Sequence, residues 1–306
     1  MKNNKVLTLY YHRINTLEND RHQVCVSPEN FRQQMQYLKD HYILARFEDD
    51  WSLLDSDGVV ITFDDGYLDN LQFALPILEE LQVPAAVFVS TGTMNQSQEL
   101  WWDELEYLIF EGSDIPAYFQ LKDDAFGYQW DTDTWEYRKN CYVSLHHLMK
   151  NFINVEKREV WLAQLWDWRG LKRRARKENL TVSAEECREL ARSEMISIGA
   201  HTMNHPSLAV LSRAEQEREI KASVDILSDV LGEQITLFSY PFGRYRIDYN
   251  EDSIEICRQC GIVKAASTDH LLWNPSADSC KIPRKVVRDW DLYEFEKRIE
   301  KYWEEQ

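Results

Sequence analysis

Val59-Val60-Ile61-Thr62-Phe63 runs straight into Asp64-Asp65-Gly66-Tyr67, and this junction constrains the fold more tightly than any other stretch. A short apolar, β-branched run closed by glycine reads as a buried strand that ends in a tight turn. Two adjacent aspartates at such a strand end are costly unless a metal ion, an arginine or water compensates them. The partner has to come from elsewhere in the chain.

The flanking pattern repeats this theme. Leu7–Tyr11 reads as a strand that delivers His12 and Arg13 at its end. Ser27-Pro28 opens a helix with Phe31, Met35 and Leu38 on one face. A helix over about 69–81, bent by Pro76, follows the Asp64 strand, and Pro84–Ser90 is another short buried strand. Later, Met195–Ala200 runs into His201, Ile235–Tyr240 into Pro241-Phe242-Gly243, Ile262–Ala266 follows Gly261, and Ile282–Val287 carries Arg284. Capping boxes at Ser183–Glu186 and Ser212–Glu215 start the intervening helices, the second of which stops at Gly232. Alternating strands and helices predict an α/β fold with a parallel sheet, open or closed into a barrel. In such folds chemistry gathers at the C-terminal ends of the strands, where the candidate residues fall.

The stretch 93–180 has a different texture. Trp101, Trp102, Trp130, Trp135, Trp161, Trp166 and Trp168 lie there, out of 11 tryptophans in the chain. Leu100–Phe110 and Tyr137–Trp168 read as helical, so the stretch is a helical insertion within one catalytic domain over 1–306. So much aromatic surface needs a partner, either the main body or something that the insertion covers.

A formal charge of −17 argues against nucleic acid and against broad attachment to anionic membranes, while leaving room for a local basic pocket. Lys172-Arg173-Arg174-Ala175-Arg176-Lys177 is such a run: a solvated helix end, or a site for a phosphate on a nucleotide- or lipid-linked sugar, or for a membrane surface. No apolar run reaches membrane-spanning length, and the N-terminus enters a strand-like run without the apolar core of a secretory signal. The 6 cysteines have no disulfide rhythm, and Cys257-x-x-Cys260 reads as two half-buried helix residues. A cytoplasmic protein is the expectation.

His201-Thr202-Met203-Asn204-His205 spaces two imidazoles so that one helical turn would place them on a shared face. Two histidines and one carboxylate, with an open position for water, are a common catalytic zinc arrangement. Thr62-Phe63-Asp64-Asp65-Gly66, His201-x-x-x-His205 and Tyr240-Pro241-Phe242-Gly243, in this order, resemble the polysaccharide deacetylases, the NodB-homology family-4 carbohydrate esterases. The resemblance covers roughly 5–92 and 181–290, and leaves the tryptophan-rich stretch outside.

That resemblance implies a distorted β/α barrel that removes N-acetyl groups from sugars with a divalent metal, zinc being the expected ion. It assigns Asp64 as general base and Asp65, His201 and His205 as metal ligands, with Tyr240, Phe242 and Gly243 bordering the substrate. Two departures stand out. Ser239 occupies the place where the family often carries an arginine that orients the base, and Arg284 is the candidate replacement. The usual Leu-x-His that supplies the general acid is missing, and His270 does not match it. His12, in Tyr10-Tyr11-His12-Arg13, resembles the N-terminal Tyr-His of the exopolysaccharide-modifying branch and is the candidate acid. The substrate expected is an N-acetylated sugar. Hydrolysis of a non-sugar C–N bond and an inactive glycan-binding module are the competing readings.

Overall fold

The computed structural model describes residues 4–123 and 127–304; Met1–Asn3, 124–126 and 305–306, which include parts of the N-terminal and insertion readings, lie outside that description. The chain divides into two compact units, Met1–Met94 with Thr181–Gln306, and Asn95–Leu180.

The first unit is built on parallel strands β1 (Val6–Tyr11), β2 (Gly58–Phe63), β3 (Ala85–Val89), β4 (Ile196–Ala200), β5 (Leu237–Ser239), β6 (Lys264–Ala266) and β7 (Lys285–Val286). Their spatial order is β6-β5-β4-β3-β2-β1-β7, so sequence neighbours are mostly spatial neighbours, as successive strand–helix units produce. The segment leading into β7 completes the circuit. Ile282 N donates to Ala265 O at 2.8 Å and Ser267 N to Ile282 O at 2.7 Å, while Val287 N reaches Tyr10 O at 3.0 Å. Residues 282–287 therefore pair with β6 at their start and β1 at their end. The sheet closes into a distorted β/α barrel through a strand too short to pair fully with either neighbour.

Parallel strands sheathed by helices are buried on both faces, and β2 and β3 are buried at every position. Alternation then separates two cores. Leu7, Leu9, Val59, Ile61, Val87 and Val89 pack beneath the helices. Val6, Val60, Ala86 and Phe88 instead share an interior cluster with Phe47, Trp51 and Trp273. Trp273 exchanges backbone hydrogen bonds with Val6 and closes the barrel at the start of β1. The opposite end, where the strands deliver polar residues, carries the candidate site.

The helices follow their sequence signals. In α1 (Pro28–His41) Ser27 accepts from Asn30 N, Pro28 stands in the first turn, and Phe31, Met35 and Leu38 are buried. In α3 (Arg213–Leu231) the Ser212–Glu215 capping box is formed and Gly232 stops the helix at φ +73°. The expected bent helix over 69–81 differs. Asn70–Ala74 is a π-helical turn, and α2 (Leu75–Leu81) begins after it. Pro76 thus lies in the first turn of α2, directly after the π-helical turn, and cannot donate back into it. Cys257 is buried and Cys260 half-buried, at the end of the helix Glu251–Gln259.

The unit Asn95–Leu180 contains the helices Trp101–Phe110, Trp135–Asn151 and Val155–Trp168, so the helical reading of 137–168 is broken where Asn154 caps a new helix. It also contains an antiparallel hairpin, Tyr118–Lys122 with Gly127–Asp131, that the sequence reading lacks. Phe119 and Leu121 are buried on one face, a two-residue period too short to stand out beside long helices. Trp161, Trp166 and Trp168 donate to Asp123, Glu104 and Tyr118 O, and Phe119 lies parallel to Trp130 at 6.0 Å. Much of the aromatic content thus builds the unit's own core. Among the described residues no helix is long and apolar enough to cross a membrane.

Candidate metal centre and active site

Asp64 and Asp65 leave β2 together and enter opposite environments. Asp64 N is held by Tyr11 O at 3.0 Å, which continues the β1–β2 pairing. Asp65 has φ +73° and Gly66 φ +74°, so the chain turns sharply between strand and loop. A Cβ on Gly66 would sit 3.0–3.2 Å from Val89, which restricts this position to glycine by space as well as by conformation.

Arg284 projects from the segment before β7 into the barrel and is fully buried. Its Nη1 and Nη2 bind Asp64 Oδ1 and Oδ2 at 2.8 and 2.7 Å, a bidentate pair. The remaining donors reach Thr62 Oγ1 at 3.0 Å, Ser239 Oγ at 2.8 Å and Ser267 O at 3.0 Å. Its guanidinium also lies 4.8 Å from the Tyr10 ring centroid and 5.7 Å from that of Phe88. The guanidinium is satisfied from β1, β2, β3, β5 and the end of β6. Ser239, where the family often has arginine, accepts from this arginine instead. Burial pushes the Asp64 pKa up, but Arg284, aided by His201 and His12, outweighs it and holds the carboxyl at about 2.

Asp65 Oδ1 accepts no hydrogen bond although it is buried. It faces His205 Nε2 at 3.3 Å and His201 Nε2 at 3.5 Å. One donor atom from each of the three residues fits within 4.8 Å of the others. His201 Nδ1 lies 2.7 Å from Ser239 O, and because a carbonyl only accepts, Nδ1 carries a proton and Nε2 is the ring nitrogen turned toward Asp65. Three convergent, buried ligand atoms, one of them an unsatisfied carboxylate oxygen, fit a divalent cation.

The two histidines meet through a loop rather than the helical turn that the spacing suggests. Thr202 and His205 have φ +62° and +50°, and His205 N donates to Thr202 Oγ1 at 3.0 Å. Glu219, from α3, accepts from Met203 N, Asn204 N and Asn204 Nδ2 at 3.1, 2.8 and 2.8 Å. Gly92 donates to Met203 O at 2.7 Å, and a Cβ there would lie 2.6 Å from that oxygen. The imidazole rings end 4.8 Å apart. Ser90 ties this loop to the aspartates, donating Oγ to His201 O at 3.1 Å and N to Asp65 O at 3.4 Å.

His12 is half-buried at the end of β1, its ring edge-on to Tyr10 at 5.6 Å, and its carbonyl accepts from Asn70 Nδ2 at 2.9 Å. Asn70 opens the π-helical turn. Its neighbour Asp69 is buried against Arg13 Nε at 2.8 Å and Ile14 N at 3.2 Å, so one network fixes the chain from the His12 carbonyl through Ile14. Burial raises the Asp69 pKa while Arg13 opposes that rise. His22 is a further imidazole in this region. Burial lowers its pKa, Asp20 opposes that, and His12 and Asp65 are among the charges it senses. The sequence analysis missed His22 and the Arg13–Asp69 pair, because neither falls in a spaced motif.

Phe242 and Gly243 have φ +61° and +74°. The Phe242 ring meets the His205 ring edge-on at 4.8 Å, and its carbonyl accepts from Thr268 Oγ1 at 2.7 Å. Tyr240 is fully buried, stacks on Tyr249 at 3.9 Å and donates to Cys280 O at 3.2 Å. Its side chain supports the loop from beneath rather than presenting a face to a ligand.

The polysaccharide deacetylase family model matches residues 54–117 and 164–265, together more than half of the chain. The chain belongs to the polysaccharide deacetylase family. The matched residues of this family member include Asp64, Asp65, His201, His205 and Tyr240–Gly243 but exclude His12 and Arg284. YxkH of Bacillus subtilis (strain 168), provisionally named a polysaccharide deacetylase, is 22% identical over 272 residues, 87% of this chain and 65% of that protein. The chain therefore spans slightly less than two thirds of that relative's length. In fold it is similar to the deacetylase PplD of Streptococcus pyogenes, solved with acetate (TM-score 0.60, 18% identity, 97% of this chain and 98% of that one). It is similar also to IcaB of Ammonifex degensii (TM-score 0.58, 19% identity, 93% and 92%).

Proposed function

We propose that this chain is a metal-dependent hydrolase that removes N-acetyl groups from an amino sugar of a polysaccharide or its precursor. The observation that carries the reading is the contrast inside one dipeptide: Asp64 bound at both oxygens by Arg284, beside Asp65 with an oxygen that no donor satisfies. Asp65, His201 and His205 would hold the ion, and zinc suits two imidazoles and one carboxylate. Bound there, a divalent ion supplies Lewis-acid polarisation of the acetamide and acidifies water enough for a weak base to deprotonate it.

The chain's own residues account for the rest. Asp64, with a pKa of about 2, is ionised at every working pH. Arg284 occupies one lone pair on each Asp64 oxygen and fixes the carboxylate plane, leaving the other lone pairs to accept a proton. His12, held through its carbonyl by Asn70, is assigned as the acid that protonates the departing amine, a role suited to an imidazole near neutral pH. A backbone N–H near Phe242 is assigned to the developing oxyanion. The free cysteines support our placing the chain in a reducing, cytoplasmic setting.

Asp64→Asn tests the assignment. It should retain the metal by elemental analysis and lose acetate release by roughly 10²–10⁴-fold on N-acetylated oligosaccharides. Normal turnover in that variant would refute Asp64 as the base.

A further inference from the structure

The basic run of the unit Asn95–Leu180 separates into two sets once its partners are known. Arg176 is bound by Glu99 through Nε and Nη2 at 2.9 and 2.7 Å, and by Glu111 through Nη1 at 2.5 Å. Arg173 is bound by Glu104 and Glu159 at 2.9 and 2.8 Å. These anchors pin a segment without regular structure that follows Gly170 at φ +61°. Lys172 and Arg174, on either side of Arg173, are exposed and have no carboxylate partner among the described residues.

Lys172, Arg173 and Arg174 line one groove of about 760 Å³ with Gln96, Ser97 and Tyr107, and among the described residues no carboxylate lines it. The volume lies in the range of small-ligand sites. Tyr107 is half-buried and braced by the Arg176 guanidinium at 4.8 Å and the Trp166 ring at 5.6 Å. An aromatic face suits the C–H surface of a sugar ring, and two cations that no described carboxylate neutralises match the charge of a phosphate dianion. In a chain of charge −17 the long-range field repels anions, so only this local geometry favours one.

We propose that this groove binds the phosphate of a phosphorylated amino sugar, through Lys172 and Arg174. The sugar half of the inference rests on the deacetylase reading; the phosphate half does not. Calorimetric titration of the full chain at low salt with N-acetylglucosamine 1-phosphate, N-acetylglucosamine and inorganic phosphate tests it. The sugar phosphate should bind about 10-fold or more tightly than either of the others, and Lys172→Gln/Arg174→Gln should remove that advantage. Both substitutions are at exposed positions, and an unchanged thermal melt checks that the double variant is folded. Equal binding of the neutral sugar or of phosphate alone, no binding, or undiminished binding in the double variant would overturn the proposal. Asp65→Asn separates it from the catalytic reading. Sugar phosphate binding should survive that change, and its loss would place the ligand at the metal centre and overturn the groove assignment. Absent acetate release with this binding intact would sink the deacetylase reading alone.

Discussion

Glu99 in the unit Asn95–Leu180 and Asp65 in the barrel are each 4% exposed, yet they are bonded in opposite ways. Glu99 receives Arg176 N, Nε and Nη2 and Asn179 Nδ2 at 2.7–3.2 Å. Asp65 has one oxygen that no donor meets, turned toward two imidazole nitrogens. Burial alone therefore does not mark a functional carboxylate. Glu99, with both oxygens saturated by donors of its own unit, is structural, whereas an oxygen left unsatisfied beside two ring nitrogens, as in Asp65, calls for a ligand.

Asp65→Asn should break this contrast most visibly. Asparagine tolerates the left-handed backbone there, so the fold should persist while bound metal and acetate release fall to background. Retained metal would remove Asp65 from the ligand set. Arg284→Met comes next, with acetate release about 10²-fold lower and metal content unchanged. Truncating a buried pair also costs about 3–5 kcal/mol of stability.

The pH dependence of that loss has a definite sign. Asp64 is lowered from 3.8 to about 2 in the folded protein, so its pairing stabilises the fold above pH 4 and is lost as pH falls toward 2. The stability gap between wild type and Arg284→Met should therefore narrow by about 2 kcal/mol over that interval. A constant gap would mean that Asp64 is not the titrating partner.

Glu99→Gln sharpens the other side of the comparison. It should lower stability by about 2–3 kcal/mol, less than a full pair because Glu111 still binds Arg176, and leave metal content alone. The smallest effect belongs to Glu219→Gln, which loosens the Met203–Asn204 loop. Metal affinity there should fall by roughly 10-fold, measured by competition with a chelator, without a matching loss of fold.

Several features were legible because local rules carry them. The apolar run into Asp64-Asp65-Gly66 marked a strand end, and the Ser27, Ser183 and Ser212 caps located three helix starts. The motif pair further marked the family and the three residues, Asp65, His201 and His205, that converge in the fold. The hairpin Tyr118–Lys122 with Gly127–Asp131, the π-helical turn at Asn70 and the left-handed loop at Thr202–His205 escaped, since each depends on long-range partners rather than on a local period. Arg284 stood between these cases. Its position at a strand end was visible, but its bidentate grip on Asp64 follows from barrel closure by residues 282–287.

Composition and periodicity by themselves determined a strand–helix chain with carboxylates and imidazoles at strand ends, because backbone preference and burial act over a few residues. Only the closed sheet decided which charges meet. It places Arg284 across from Asp64 and leaves Asp65 to the histidines, since an ion pair between residues 220 positions apart exists only after the strands between them have paired.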